Sequence, residues 1–134
     1  MCSASSDRFR GGCLCGAVRF SGVWGDDPPT ACHCNQCRNW SGHLWASGSA
    51  IDLTIDDDSA LRWYASSEHA RRGFCATCGS SLFWHELTEP YFSVAMAAID
   101  EPTGRRLNHH IWVDFKGDYY DIADGLPQTT SAQP

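Results

Sequence analysis

The stretch Phe74-Cys75-Ala76-Thr77-Cys78-Gly79 places two thiols three residues apart, and its reading decides the fold. A turn of this kind aims two sulfurs at one metal ion, the knuckle from which small zinc folds are built, but one knuckle supplies only half of a tetrahedral site. Working outward, the chain offers two further clusters, Cys13-Leu14-Cys15 and Cys32-His33-Cys34-Asn35-Gln36-Cys37. Seven of the eight cysteines fall in these three groups, and seven divides into a closed set of four and an open set of three. A zinc closed by four thiolates is structural, whereas three protein ligands keep a fourth position for water or substrate. Two zinc ions per chain are expected.

Two partitions satisfy that arithmetic. In the first, Cys13, Cys15, Cys75 and Cys78 form the closed site, and Cys32, Cys34 and Cys37 form a cup within six residues. In the second, Cys34 and Cys37 join Cys75 and Cys78, which leaves Cys13, Cys15 and Cys32 to converge from separate segments. The first asks less of the chain. A closed site joining residue 13 to residue 78 would clamp the first β segment to the middle of the sequence, and metal binding of that kind contributes directly to folding free energy. Cys2, in a polar stretch without a partner, reads as an exposed thiol.

The remaining composition narrows the function classes. The first ten residues contain no apolar signal region and no stretch reaches membrane-spanning length, so a soluble, cytoplasmic protein is expected. In a reducing compartment, closely spaced cysteines read as metal ligands rather than as a disulfide framework. The net charge is -6, and nine arginines and one lysine are scattered rather than gathered. A phosphate-backbone binder shows a basic patch or stripe, so nucleic acid is not an expected partner.

Helical periodicity is scarce, and short runs of aromatic and β-branched residues are broken by Gly, Ser, Asp and Pro. The expected class is mainly β. Candidate strands cover 14–24, 43–50, 60–65, 81–85, 91–98 and 110–115, with a short helix over 35–42 leaving the second cluster. Alternation is clearest at Val18/Phe20 and at Ile111/Val113/Phe115. One domain is expected over residues 9–127, between small, polar and flexible tails at 1–8 and 128–134.

The clusters and the residues around them resemble the glutathione-dependent formaldehyde-activating enzyme family, which includes the centromere protein V-like proteins. The resemblance is carried by Gly12-Cys13-Leu14-Cys15-Gly16-Ala17-Val18-Arg19-Phe20, by Cys32-His33-Cys34-Asn35-Gln36-Cys37-Arg38 with Gly42, and by Phe74 to Trp84. It continues through Val94 to Asp100, His110-Ile111-Trp112-Val113 and Asp124-Gly125-Leu126-Pro127. It implies an Mss4-like, zinc-stapled antiparallel β fold. It also favours the first partition, with Cys13, Cys15, Cys75 and Cys78 as structural zinc ligands and Cys32, Cys34 and Cys37 as catalytic zinc ligands. The implied reaction is addition of glutathione to formaldehyde, the reverse of a carbon–sulfur lyase step.

Three thiolates leave a zinc ion with net negative charge, a poor Lewis acid but a suitable activator of an incoming thiol, which would attack the aldehyde carbon as a zinc-bound thiolate. The resulting oxyanion needs a proton, and His33, inside the cup, is the candidate by proximity, with His110 behind it. Arg38, beside the cup, is the best-placed cation for a glutathione carboxylate. Two rival readings are a non-catalytic zinc module that binds a protein, and a related lyase acting on another thiol adduct.

Overall fold

The structure, a computed structural model, describes residues 7–132. Cys2 and most of the expected N-terminal tail lie outside the described residues, as do positions 133 and 134. Among those described are nine strands: β1 (Arg8–Gly12), β2 (Arg19–Trp24), β3 (Thr30–Cys32), β4 (Trp45–Ile55), β5 (Leu61–Ala65), β6 (Ala70–Cys75), β7 (Ser81–Glu86), β8 (Phe92–Ala95) and β9 (His109–Ile111). One helix, α1 (Asn35–Ser41), and two 3₁₀ turns, Met96–Ala98 and Val113–Phe115, complete the elements. The expected mainly antiparallel β class is what the chain forms. Among the described residues, no helix is long and apolar enough to cross a membrane.

The chain divides into two units. The first, residues up to Asp27 with Gly48–Gly104, carries strands in the order β1-β2-β4-β8-β7-β6-β5. Alternation brings Val18 and Phe20 into its core, where Leu82, Phe83 and Val94 are also fully buried, and the Phe20 and Phe83 rings meet edge to face at 4.9 Å. Strand β6 has no clean alternation to announce it, because Arg72 and Gly73 are both buried. Its glycine makes room for aromatic neighbours: a Cβ on Gly73 would come within 3.0 Å of Phe83 and of Trp63.

The second unit, Pro28–Ser47 with residues from Arg105 onward, is organised on β3. That strand pairs antiparallel with the start of β4, Cys32 opposite Trp45, and parallel with β9, Cys32 opposite Ile111. Helix α1 follows at once. The Cys34 sulfur accepts from the Cys37 amide at 3.3 Å as its N-cap, and Gly42 ends it by donating its N–H to the Arg38 carbonyl.

Strand β9 stops at Ile111, although the alternation through Phe115 predicts a longer strand. Trp112 adopts φ 57, the left-handed region, which turns the chain into the 3₁₀ turn. The local hydrogen bonds go to residues 127–131 instead: His110 and Val113 donate to the Pro127 and Thr129 carbonyls, and Ser131 bonds the Asp114 carboxylate. Similarly, the strand expected over 91–98 ends at Ala95, where the first 3₁₀ turn begins.

Candidate functional site

The first cysteine group lies in the first unit and is made of two knuckles of like construction. In one, Gly16 at φ 84 lets its amide reach the Cys13 carbonyl, and the Val18 amide donates to the Cys13 sulfur at 3.3 Å. In the other, Gly79 at φ 84 bonds the Cys75 carbonyl, and the Cys78 amide donates to the Cys75 sulfur at 3.5 Å. Only glycine takes this conformation without strain. Ser80 ties the two together, accepting from the Leu14 amide at 3.0 Å while its hydroxyl lies 3.2 Å from the Cys78 sulfur. That hydroxyl draws the Cys78 pKa down to about 5.

The four sulfurs, from Cys13, Cys15, Cys75 and Cys78, lie within 4.8 Å of one another. The Cys13–Cys15 and Cys15–Cys75 separations are 3.6 and 3.8 Å. A tetrahedral zinc with metal–sulfur bonds of about 2.3 Å has an edge of about 3.8 Å, so the donors fit such an ion. All seven cysteines among the described residues are free thiols.

The second group lies in the second unit, where the end of β3 and the first turn of α1 bring the Cys32, Cys34 and Cys37 sulfurs within 4.8 Å of one another. Among the described residues, no histidine or carboxylate joins that set. Cys34, Cys37 and burial drive the Cys32 pKa far above the ordinary thiol range. Three thiolates this close repel one another unless a cation sits among them, and the donor set again suits zinc. These are two clusters that can hold a metal, one with four protein donors and one with three.

His33, expected as a proton donor in the cup, is completely buried. Its two ring nitrogens are both engaged, Nδ1 with Tyr120 Oη at 2.8 Å and Nε2 with His110 Nδ1 at 2.9 Å. Desolvation, followed by the nearby charges of His110, His43, Lys116 and Arg38, lowers its pKa to about 4, so it is neutral at pH 7. His110 in turn bonds Asp124 Oδ2 at 2.8 Å through Nε2, which holds that carboxyl below its ordinary range.

Arg38, expected to anchor a carboxylate, donates from Nε to the His33 carbonyl at 3.2 Å and from Nη2 to the Phe115 carbonyl at 3.1 Å. Lys116 likewise donates to the Tyr120 and Gly117 carbonyls. The two cations therefore also order the segment that carries Tyr120. Trp40 and Trp45 pack edge to face at 5.0 Å, and Trp45 is buried. His43 bonds the Tyr119 hydroxyl at 2.9 Å.

Sequence reasoning missed Tyr120 altogether and gave Asp124 no role. The Tyr119-Tyr120 pair and the Asp124-Gly125 turn lie in a segment without periodicity, and only the chain's return to His33 and His110 gives them meaning.

Comparison with known proteins converges on one family. The chain matches the sequence profile of the glutathione-dependent formaldehyde-activating enzymes over residues 8–115. It is 30% identical over 121 residues to an uncharacterized lyase of Schizosaccharomyces pombe, covering 87% of this chain and 86% of that one. It is also 30% identical over 134 residues to a Halomonas elongata protein provisionally named a glutathione-dependent formaldehyde-activating enzyme, covering 85% and 80%. A crystal structure of a Rhodobacter sphaeroides protein, 22% identical, shares the fold with a TM-score of 0.58 over 90% of this chain and 99% of that one. The match to the family profile spans both cysteine groups, and the chain belongs to the glutathione-dependent formaldehyde-activating enzyme family.

Proposed function

We propose that this protein is a carbon–sulfur lyase that catalyses or facilitates addition of glutathione, or a related small thiol, to formaldehyde or another small aldehyde in the cytoplasm. The observation that carries the reading is the inequality of the two cysteine groups: four donors in one, three in the other. Zinc is the metal assigned to both. Cys13, Cys15, Cys75 and Cys78 would hold a structural ion, and Cys32, Cys34 and Cys37 would hold the catalytic one. When bound by three thiolates, the catalytic ion supplies acidification of an incoming thiol.

The chain's own residues do the rest. The β3 end and α1 hold the three sulfurs together, and Arg38 fixes the His33 and Phe115 carbonyls beside them while contributing positive charge for the carboxylates of glutathione. His33 is sealed from solvent, so its influence on a ligand passes through its partners, of which the half-buried Tyr120 is the accessible one. The family assignment supports the thiol and aldehyde classes.

Formaldehyde adds to thiols without an enzyme, so the test compares exchange between free glutathione and its hydroxymethyl adduct, with zinc-loaded protein and with the Cys34→Ala variant. Acceleration by the wild type alone supports the function. Metal-dependent thiol binding without acceleration would point to a lyase for another adduct, and no thiol binding would point to a non-catalytic zinc module.

A further inference from the structure

In the first unit, Ala65 of β5, Arg71 of β6 and His85 of β7 stand directly opposite one another across three strands. Residues paired in this way lie on one side of the sheet. The Arg71 guanidinium carbon is 3.9 Å from the centroid of the Trp63 ring, and its Nε donates to His85 Nδ1 at 3.2 Å. His85 is itself held twice. Its ring stacks on Phe92 with centroids 4.0 Å apart, and its Nε2 lies 2.9 Å from the Glu89 carbonyl oxygen. Ordering a long arginine side chain costs conformational entropy, and here the fold has already ordered it.

These contacts use only the face of the guanidinium and its Nε–H. Among the described residues, neither Nη group has a hydrogen-bond partner, and no carboxylate pairs with Arg71. Acids are not in short supply, since the chain holds 16 acidic against 10 basic residues. Ala65, on the strand that ends the sheet order, is small and exposed, so its side chain does not cover the cation. The two Nη groups present parallel N–H donors, which match the two oxygens of a planar anion.

We propose that Arg71 is the centre of a carboxylate-binding site: its Nη edge takes both oxygens of an organic acid, and the rings of Trp63, His85 and Phe92 take the acid's apolar body. The rings set this class of ligand. Their centroids lie within 6.5 Å of one another, and all three are half-buried, with surface left beside the cation. Inorganic phosphate has no apolar part to place on them and carries more charge toward a protein of net charge -6. The site is independent of the proposed function, because none of its residues belongs to either cysteine group.

Benzoate is the probe, and benzamide, its neutral counterpart of the same shape, is the control. In nitrogen-15 NMR of the zinc-loaded protein, benzoate should shift the Arg71 side-chain and Trp63 indole signals saturably. It should bind at least about tenfold more tightly than benzamide. Equal affinity for the two, or benzoate that leaves those signals unmoved, overturns the proposal on the wild type alone. Arg71→Lys, which keeps the charge and loses the fork, should weaken benzoate binding about tenfold. A folded Arg71→Lys that binds benzoate as tightly as the wild type overturns the proposal as well. Inorganic phosphate should bind more weakly than benzoate, and the opposite order overturns the carboxylate assignment.

Discussion

The sulfurs of Cys15 and Cys75 lie 3.8 Å apart although 60 positions separate them in the chain. An ion bridging them would close a loop of that length, and the arrangement of the cysteines in two groups predicts two ions per folded chain, one in each. Elemental analysis of untagged, gently purified protein should return two zinc equivalents. A reproducible value of one, with no loss during purification, would remove the second centre.

The two groups should fail differently. Structural zinc binding is worth about 10–16 kcal/mol in small peptides, which matches or exceeds the whole stability of a typical domain, about 5–15 kcal/mol. Cys75→Ala should therefore abolish the cooperative thermal transition. Cys34→Ala, which removes one sulfur and the N-cap of a single short helix, should leave a folded protein with a midpoint lowered by only about 5 °C. Equal collapse of both variants would make the three-sulfur group structural as well.

Metal-dependent binding should require a free thiol. Glutathione titrated into the zinc-loaded protein should bind at least about tenfold more tightly than S-methylglutathione, whose sulfur cannot become a thiolate. Chelation of the metal should erase the difference. Equal affinity for the two compounds would show that the sulfur is not what the site recognises.

Arg38 offers a sharper comparison because its visible bonds go to backbone carbonyls. If its charge also serves the carboxylates of glutathione, Arg38→Met should raise KM for glutathione about tenfold and leave 2-mercaptoethanol, which has no carboxylate, far less affected. An equal loss for both thiols, with a lowered melting midpoint, would make Arg38 a brace for the Phe115 segment and nothing more.

Asp124 should give the protein an acid-sensitive contribution to stability. His110 lowers its pKa below the ordinary value of 3.8, so the folded state binds its proton less readily than the unfolded one. The associated stability is present above the unfolded pKa and is lost as pH falls through the folded one. Chemical denaturation should find Asp124→Asn less stable than the wild type at pH 7, with the gap closing below about pH 3.8. Comparing the two proteins at each pH cancels effects common to both, metal release included. A gap independent of pH would mean that the carboxylate charge is not what stabilises the His110–Asp124 contact.

Much of the fold was legible because its signals are local. Short aromatic and β-branched runs announced β5, β7 and the core of β2, and the cysteine spacing announced both groups that can hold a metal. The strand expected from Leu14 begins only at Arg19, because the knuckle's own turn occupies the residues between. Strand β6 was hidden by a buried arginine and by a glycine whose role depends on the aromatic rings across the sheet. Val113 and Phe115 kept strand-like alternation into a 3₁₀ turn, since no side-chain pattern records a left-handed Trp112. The cup could be read from three sulfurs in six residues. The contacts that join Tyr120, His33, His110 and Asp124 could not, because positions 33, 110, 120 and 124 are gathered by a parallel strand pairing that leaves no mark on local sequence.

That parallel pairing also sets an order of events during synthesis. A chain emerging N-terminus first has all four thiols of the Cys13/Cys15/Cys75/Cys78 group once residue 78 is made, and that group can take its ion while the ribosome is still at work. Cys32, Cys34 and Cys37 are made early and must wait, because β3 finds β9 only when residues 109–111 appear, and His33 finds its partners only after residue 120. For that interval three neighbouring thiols stand without their lasting supports. Newly made protein should be most vulnerable to oxidation at this group, which would make the period of synthesis, and not only the finished fold, a determinant of how many of its thiols survive.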